Sequence, residues 1–97
     1  MNRTILLAAV ISLSTAFSAS AQSGLASYCG GRGGGMTCAH RTAAMGTVLT
    51  VSHGGRSIQC RVNDRGPFVR GRIVDLSVTA ARALGMMGAG VVPVSLH

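Results

Sequence analysis

Tryptophan, lysine and glutamate are absent from this 97-residue chain, and its only carboxylate side chains are those of Asp64 and Asp75. Any proton transfer by a carboxyl side chain must therefore use one or both of these two residues. Aromatic residues make up 3% of the chain. Single-stranded nucleic acid is held by stacking bases on aromatic faces along a basic groove, so this scarcity argues against a nucleic-acid partner in spite of nine arginines and a formal net charge of +7. No apolar run is long enough to cross a bilayer, since Ile5 to Leu13 falls well short of the ~20 residues required. A C-x-x-C pair is missing too. That leaves zinc only the looser set Cys38, Cys60 and His40, which lacks a fourth ligand. Internal repeats and a second domain are not visible, and no cofactor is expected.

The first residues have the form of an export leader. Arg3 supplies the positive end, Ile5 to Leu13 the short apolar stretch, and Ala19-Ser20-Ala21 the small-residue cleavage motif. Cleavage is expected before Gln22, giving a leader over 1–21, one domain over 22–97 and no stable membrane insertion afterwards. A domain this small buries little surface and gains from a covalent staple or a regular barrel. It carries eight arginines against two aspartates. Arginine binds carboxylate and phosphate through two parallel hydrogen bonds, so the balance points to an anionic partner such as a cell-wall polymer. Three cysteines in an exported chain imply one disulfide and one remaining thiol. In Ser57 to Asn63, Ile58, Cys60 and Val62 alternate with polar residues and face inward together. The partner of Cys60 must reach it from the core side, and Cys29 and Cys38 are both open to that role.

Pattern places several short strands along the chain. Gly24 to Cys29 opens it, and the glycine-rich Gly30 to Gly35 follows as a connector without the spacing of a phosphate-binding loop. Thr47 to Ser52 is rich in β-branched residues, and His53-Gly54-Gly55 joins it to Arg56 to Asn63 as a hairpin, with His53 a solvated turn residue. Asn63 to Pro67 is a concentration of turn-forming and polar residues that must reverse the chain at one rim. Arg72 to Leu76 resumes a strand, with Val74 and Leu76 on one face and Ile73 and Asp75 on the other. Ser77 then caps a short helix with an apolar stripe of Ala80, Ala81 and Leu84, and Gly85 stops it. Val91 to Leu96 is the last strand, at an edge or irregularly paired because of Pro93. Short strands, one helix and many glycines suggest a compact barrel, because closure removes exposed edges.

Several segments together closely resemble the RlpA family: Gly24-Leu25-Ala26-Ser27-Tyr28, Thr37-Cys38-Ala39-His40-Arg41-Thr42, Gly46-Thr47, Val62-Asn63-Asp64-Arg65-Gly66-Pro67-Phe68 and Gly71-Arg72-Ile73-Val74-Asp75-Leu76-Ser77. The resemblance implies a six-stranded double-psi β-barrel of the kind shared with expansins, mostly β with one short helix. It also implies an exported or envelope-attached protein, periplasmic or secreted, that acts on peptidoglycan; a monomer is expected. Relatives are lytic transglycosylases that prefer glycan strands without stem peptides; the alternative is an expansin-like module that binds or loosens the polymer without cutting it. A cysteine before A-H-R-T paired with one before R-V-N-D-R-G resembles a recurring variant of the family, which favours Cys38 with Cys60. Departures are also visible. Gly30 to Met36 stands where the family has a longer segment with a T-A-N-G-E-like motif, so that glutamate is missing. Ala43-Ala44-Met45 replaces a proline and an aromatic. The C-terminal glycan-finding domain of many relatives is not expected, and Tyr28 before Cys29 does not suit a lipoprotein cleavage site.

Ordinary glycoside hydrolysis uses two carboxylates, either about 5 Å or roughly 6.5–9.5 Å apart. A lytic transglycosylase needs less, because the substrate's own C6 hydroxyl attacks the anomeric carbon and one residue can act first as acid and then as base. By the resemblance that residue is Asp64. His40 orients the sugar or shares the proton transfer, and Asp75, matching the aspartate of expansin-like barrels, is the second candidate acid. Tyr28, Arg41, Thr42, Asn63 and Arg65 are the expected substrate contacts. Each also has a structural reading: Asp64 as a turn cap, Asp75 in an ion pair, His40 as a hydrogen-bonded core histidine and Tyr28 as a core aromatic.

Overall fold

In the computed structural model, residues 21–30 and 34–97 are described, and they form six strands and one helix. The leader expected over 1–21 lies outside them except for Ala21. The strands are β1 (Gln22–Tyr28), β2 (Thr37–Ala39), β3 (Val48–His53), β4 (Arg56–Asp64), β5 (Arg72–Leu76) and β6 (Val92–Leu96), with helix α1 (Val78–Leu84) between β5 and β6. They close into a barrel in the order β1-β5-β2-β4-β3-β6. The β1–β5 and β2–β4 pairs are parallel and the other four are antiparallel. This is the expected barrel.

Alternation places the core where the sequence put it. In β4, Cys60 and Val62 are buried and Ile58 packs against them half-buried. In β5, Val74 and Leu76 are fully enclosed, and Ile73 on the other face is covered as well. Ile73 lies against β1 at Gly24, where an added Cβ would come within 2.7 Å of its Cγ2. The disulfide joins Cys38 to Cys60, both buried, with Cα atoms 5.8 Å apart, and leaves Cys29 an exposed thiol. Because both sulfurs are consumed in that bond, the zinc set of Cys38, Cys60 and His40 does not exist as ligands.

Two details differ from the sequence reading. Strand β2 was not visible as a strand. It has only three residues, but it is held on both sides, parallel to β4 and antiparallel to β5. His53 is not a solvated turn residue: it ends β3, and its Nδ1 lies 2.8 Å from the carbonyl oxygen of Pro93. The β3–β6 ladder covers only Val51–Leu96 and Ser52–Ser95, so Pro93 sits past its end, where no amide donor is needed. A cleft of about 610 Å³, lined by Ser52, His53, Pro93 and Ser95 among others, opens there.

Ser77 ties the helix to β2. Its buried hydroxyl accepts the N–H of Ala80 at 3.1 Å, capping α1, and donates to the carbonyl of Gly35 at 2.8 Å, while its own N–H reaches the carbonyl of Thr37 at 2.9 Å. At the other end Gly85 adopts φ 80°, and the guanidinium of Arg56 meets the last turn at the carbonyl of Ala83, where a cation complements the helix dipole. Ser77→Ala is expected to cost about 1–2 kcal/mol, since it removes the helix cap and the tie from the helix to the carbonyl of Gly35. Urea unfolding should show a lower midpoint with an unchanged slope; an unchanged midpoint would mean that the hydroxyl does not carry this load.

Candidate active site

The carboxylates and the imidazole come together through strand register. Ala39 of β2 lies opposite Asp75 of β5 on one side and Asp64 of β4 on the other, and Asp75 in turn lies opposite Ser27 of β1. Asp64 occupies its position because of an irregularity in the β2–β4 ladder: Cys38 pairs with Val62, but the next residue, Ala39, pairs with Asp64, so Asn63 is the extra residue. His40 follows directly, and its backbone N–H donates to the carbonyl of Asp64 at 3.2 Å. One row across four neighbouring strands thus holds Ser27, Asp75, the Ala39–His40 junction and Asp64. Two strand spacings separate the Cα atoms of Asp64 and Asp75, about 10 Å. A retaining pair would need its carboxyl groups about 5 Å apart, whereas Asp75 is drawn the other way by the Ser27 hydroxyl, which donates to its Oδ1 at 2.8 Å.

Asp64 is exposed at the end of β4, and its Oδ1 accepts the N–H of Arg65 at 2.8 Å. Arg65 turns back over the loop after β2, where its guanidinium donates to the carbonyls of His40, at 3.0 Å, and Ala43. Arg41 likewise donates to the carbonyl of Arg72 at 3.2 Å. Both arginines therefore brace the loops while keeping their charge close to His40.

His40 is 8% exposed. Its Nδ1 receives the backbone N–H groups of Thr42 at 3.1 Å and Ala43 at 3.0 Å, so it must be unprotonated. The ring proton sits on Nε2 and points to Oε1 of Gln22 at 3.0 Å. Burial, then the charges of Arg41 and Arg65, hold His40 below the ordinary imidazole value of 6.5. The unfolded chain consequently takes up this proton first as pH falls. Stability from neutral His40 is complete above pH 6.5 and is lost as pH falls from there toward the folded-state value. Melts from about pH 8 to about pH 5 should show this loss, and His40→Asn, which offers an acceptor near the Nδ1 position but does not titrate, should flatten it. Equal slopes in the two proteins would show that His40 is not its source.

The remaining expected residues divide by position. Thr42 and Asn63 are exposed beside His40 and Asp64. Tyr28 is not part of the row: it alternates with Ser27 along β1, packs against the core and donates its hydroxyl to the carbonyl of Met87 at 3.1 Å. Two contacts had no sequence signal. Ser27 reaches Asp75 across 48 positions and Gln22 reaches His40 across 18. Phe68, 77% exposed just beyond the turn after Asp64, is a large apolar face in open solvent.

Comparisons with known proteins agree with this geometry. A Nostoc sp. protein named "Probable endolytic peptidoglycan transglycosylase RlpA" is 56% identical over 64 residues, which is 64% of this chain and 17% of the relative. The endolytic peptidoglycan transglycosylase RlpA of Campylobacter jejuni is 48% identical over 64 residues, covering 64% of this chain and 23% of the relative. The chain thus spans about a fifth of the length of these curated relatives. Among solved structures, the apo expansin of Clavibacter michiganensis superposes with a TM-score of 0.68 at 26% identity, covering 79% of this chain and 49% of that one. A mutant of that expansin in complex with cellohexaose gives 0.67 over the same shares of the two chains. A family model described as lytic transglycolase matches residues 13–96, a span that takes in all six strands and every residue of the row, and the chain belongs to that family.

Proposed function

We propose that this domain cleaves peptidoglycan glycan strands as an endolytic lytic transglycosylase, acting on strands without stem peptides. The observation that carries the reading is the juxtaposition of Asp64, at the end of β4, with His40, just past the end of the adjoining β2, with a single exposed carboxylate at the rim and Asp75 bonded on its other side to Ser27. The names of the relatives support the substrate. Protonated Asp64 gives its proton to the glycosidic oxygen as the bond from the anomeric carbon breaks. The carboxylate so formed takes the proton of the sugar's C6 hydroxyl as that oxygen closes on the anomeric carbon. The products are a 1,6-anhydro-muramyl end and a new 4-hydroxyl end; no water is consumed, and Asp64 is again protonated. Phe68 offers a flat apolar face for a sugar ring near this rim, and the arginines supply a cationic surround for an anionic polymer.

In this reading the leader-like residues 1–21 direct the protein out of the cytoplasm, to act as a periplasmic or secreted monomer. One likeness favours a second reading: the expansin complex holds a β-linked hexasaccharide. A non-cleaving, polymer-loosening module would use the same row of residues. Purified protein incubated with intact and with amidase-stripped peptidoglycan, followed by mass spectrometry of the soluble and insoluble fractions, separates the two. New 1,6-anhydromuramyl ends, richer from the stripped polymer, are expected for the enzyme. Binding without such ends would favour the loosening module.

A further inference from the structure

His40 is fixed in a way that asks for one kind of ligand atom. Two amide N–H groups, those of Thr42 and Ala43, converge on Nδ1, so the ring cannot take a second proton without breaking both contacts. Nε2 is consequently a donor, and the atom it meets is the side-chain carbonyl oxygen of Gln22 at 3.0 Å. Arg41 and Arg65, both close enough to oppose a positive charge on the ring, also favour an electron-rich acceptor at this position.

Gln22 is a weakly committed partner. It is exposed, stands at the first position of β1, and is a long side chain that loses rotamer freedom by holding this contact. A carbonyl that arrives already ordered on a rigid ring can replace it at little cost. The group that Gln22 presents is a primary amide, and its oxygen is the chemical equivalent of an acetamido carbonyl. We propose that the Nε2–H of His40 is the recognition donor for the 2-acetamido carbonyl of a bound N-acetylated sugar, with Gln22 occupying that place in this structure. The inference rests on the glycan-binding reading above and adds to it the feature of the sugar that is read. It makes the site selective for N-acetylhexosamine polymers over polymers with a hydroxyl at C2. An ammonium at C2 is the least welcome substituent, since it has no lone pair to offer and faces two guanidinium groups.

Chitohexaose and cellohexaose test this without a change in charge, because both are neutral β-1,4-linked hexasaccharides and they differ in the C2 substituent. Calorimetric titration of the folded protein should give chitohexaose about five- to tenfold tighter binding than cellohexaose, the worth of one neutral hydrogen bond. His40→Asn should bring the ratio to about one, whereas a residue that only supports the fold would weaken both ligands in parallel and keep the ratio. Gln22→Ala should leave chitohexaose binding unchanged or tighter, because the internal competitor is gone. In ¹⁵N spectra of the imidazole, chitohexaose should perturb the Nε2–H signal and leave Nδ1 unprotonated. Equal binding of the two sugars by the unmodified protein would overturn the inference and leave the glycan-binding reading standing; binding of neither sugar, together with failure to bind peptidoglycan, would overturn both. A loss of chitohexaose binding in Gln22→Ala as large as that in His40→Asn would also overturn it, since Gln22 would then be the contact itself.

Discussion

Asp64→Asn is expected to reduce the release of 1,6-anhydro ends by about 10²–10⁴-fold, the usual contribution of a positioned general acid–base group. The substitution is nearly isosteric, and an asparagine oxygen can still accept the N–H of Arg65 that Asp64 now receives at 2.8 Å. The turn into Arg65-Gly66-Pro67 should therefore survive, and glycan binding with it. What disappears is the exchangeable proton at the rim. Asp75→Asn is the informative companion. Asp75 is half-buried and takes the hydroxyl hydrogen of Ser27, so its replacement should weaken binding more than it slows the chemical step. Quantifying anhydro ends per mole of bound protein separates the two effects. Wild-type product levels in Asp64→Asn with loss in Asp75→Asn would transfer the acid role to Asp75.

The second large effect concerns stability. Replacing Cys38 and Cys60 together by alanine is expected to lower the unfolding free energy by about 3 kcal/mol, the chain-entropy value for a loop of this size; the two cysteines are 22 positions apart. For a domain of this length that corresponds to a fall in Tm of roughly 12–25 °C. The site should suffer as well. Cys38 is the middle residue of β2 and lies two positions before His40, so loosening it disturbs the strand that sets the distance between Asp64 and Asp75. Thermal melts of the double variant, beside the wild type with and without reductant, measure the effect. A variant that melts within about 4 °C of the wild type would show that packing alone holds β2 in place.

Much of this fold could be read from the chain before its coordinates. Alternation at Ile58, Cys60 and Val62 and the cap, stripe and stop of Ser77, Ala80, Ala81, Leu84 and Gly85 are local signals, and the corresponding elements lie within a residue or two of where those signals put them. Strand β2 carries no such signal. Three residues are too few to show a period, and Thr37–Ala39 is a strand only because β4 and β5 supply partners on either side. The functional row has the same character. Asp64, His40 and Asp75 could be singled out by family likeness, but their adjacency depends on one extra residue at Asn63, which no propensity marks. Tyr28 suits a sugar face or a core equally by sequence, and the parity of β1 relative to Ser27 sets it half-buried against the core.

The anchoring of β2 has a consequence for how such domains can diversify. This strand is fixed from behind by the Cys38–Cys60 bond and at its start by Ser77, whose hydroxyl reaches back only as far as the carbonyl of Gly35 in the stretch that leads in from β1. That stretch can be lengthened at an entropic charge of only about 0.6 kcal/mol per doubling. Sequence inserted ahead of Gly35 would leave both restraints on β2 intact, so this connection could vary while His40 stays in register.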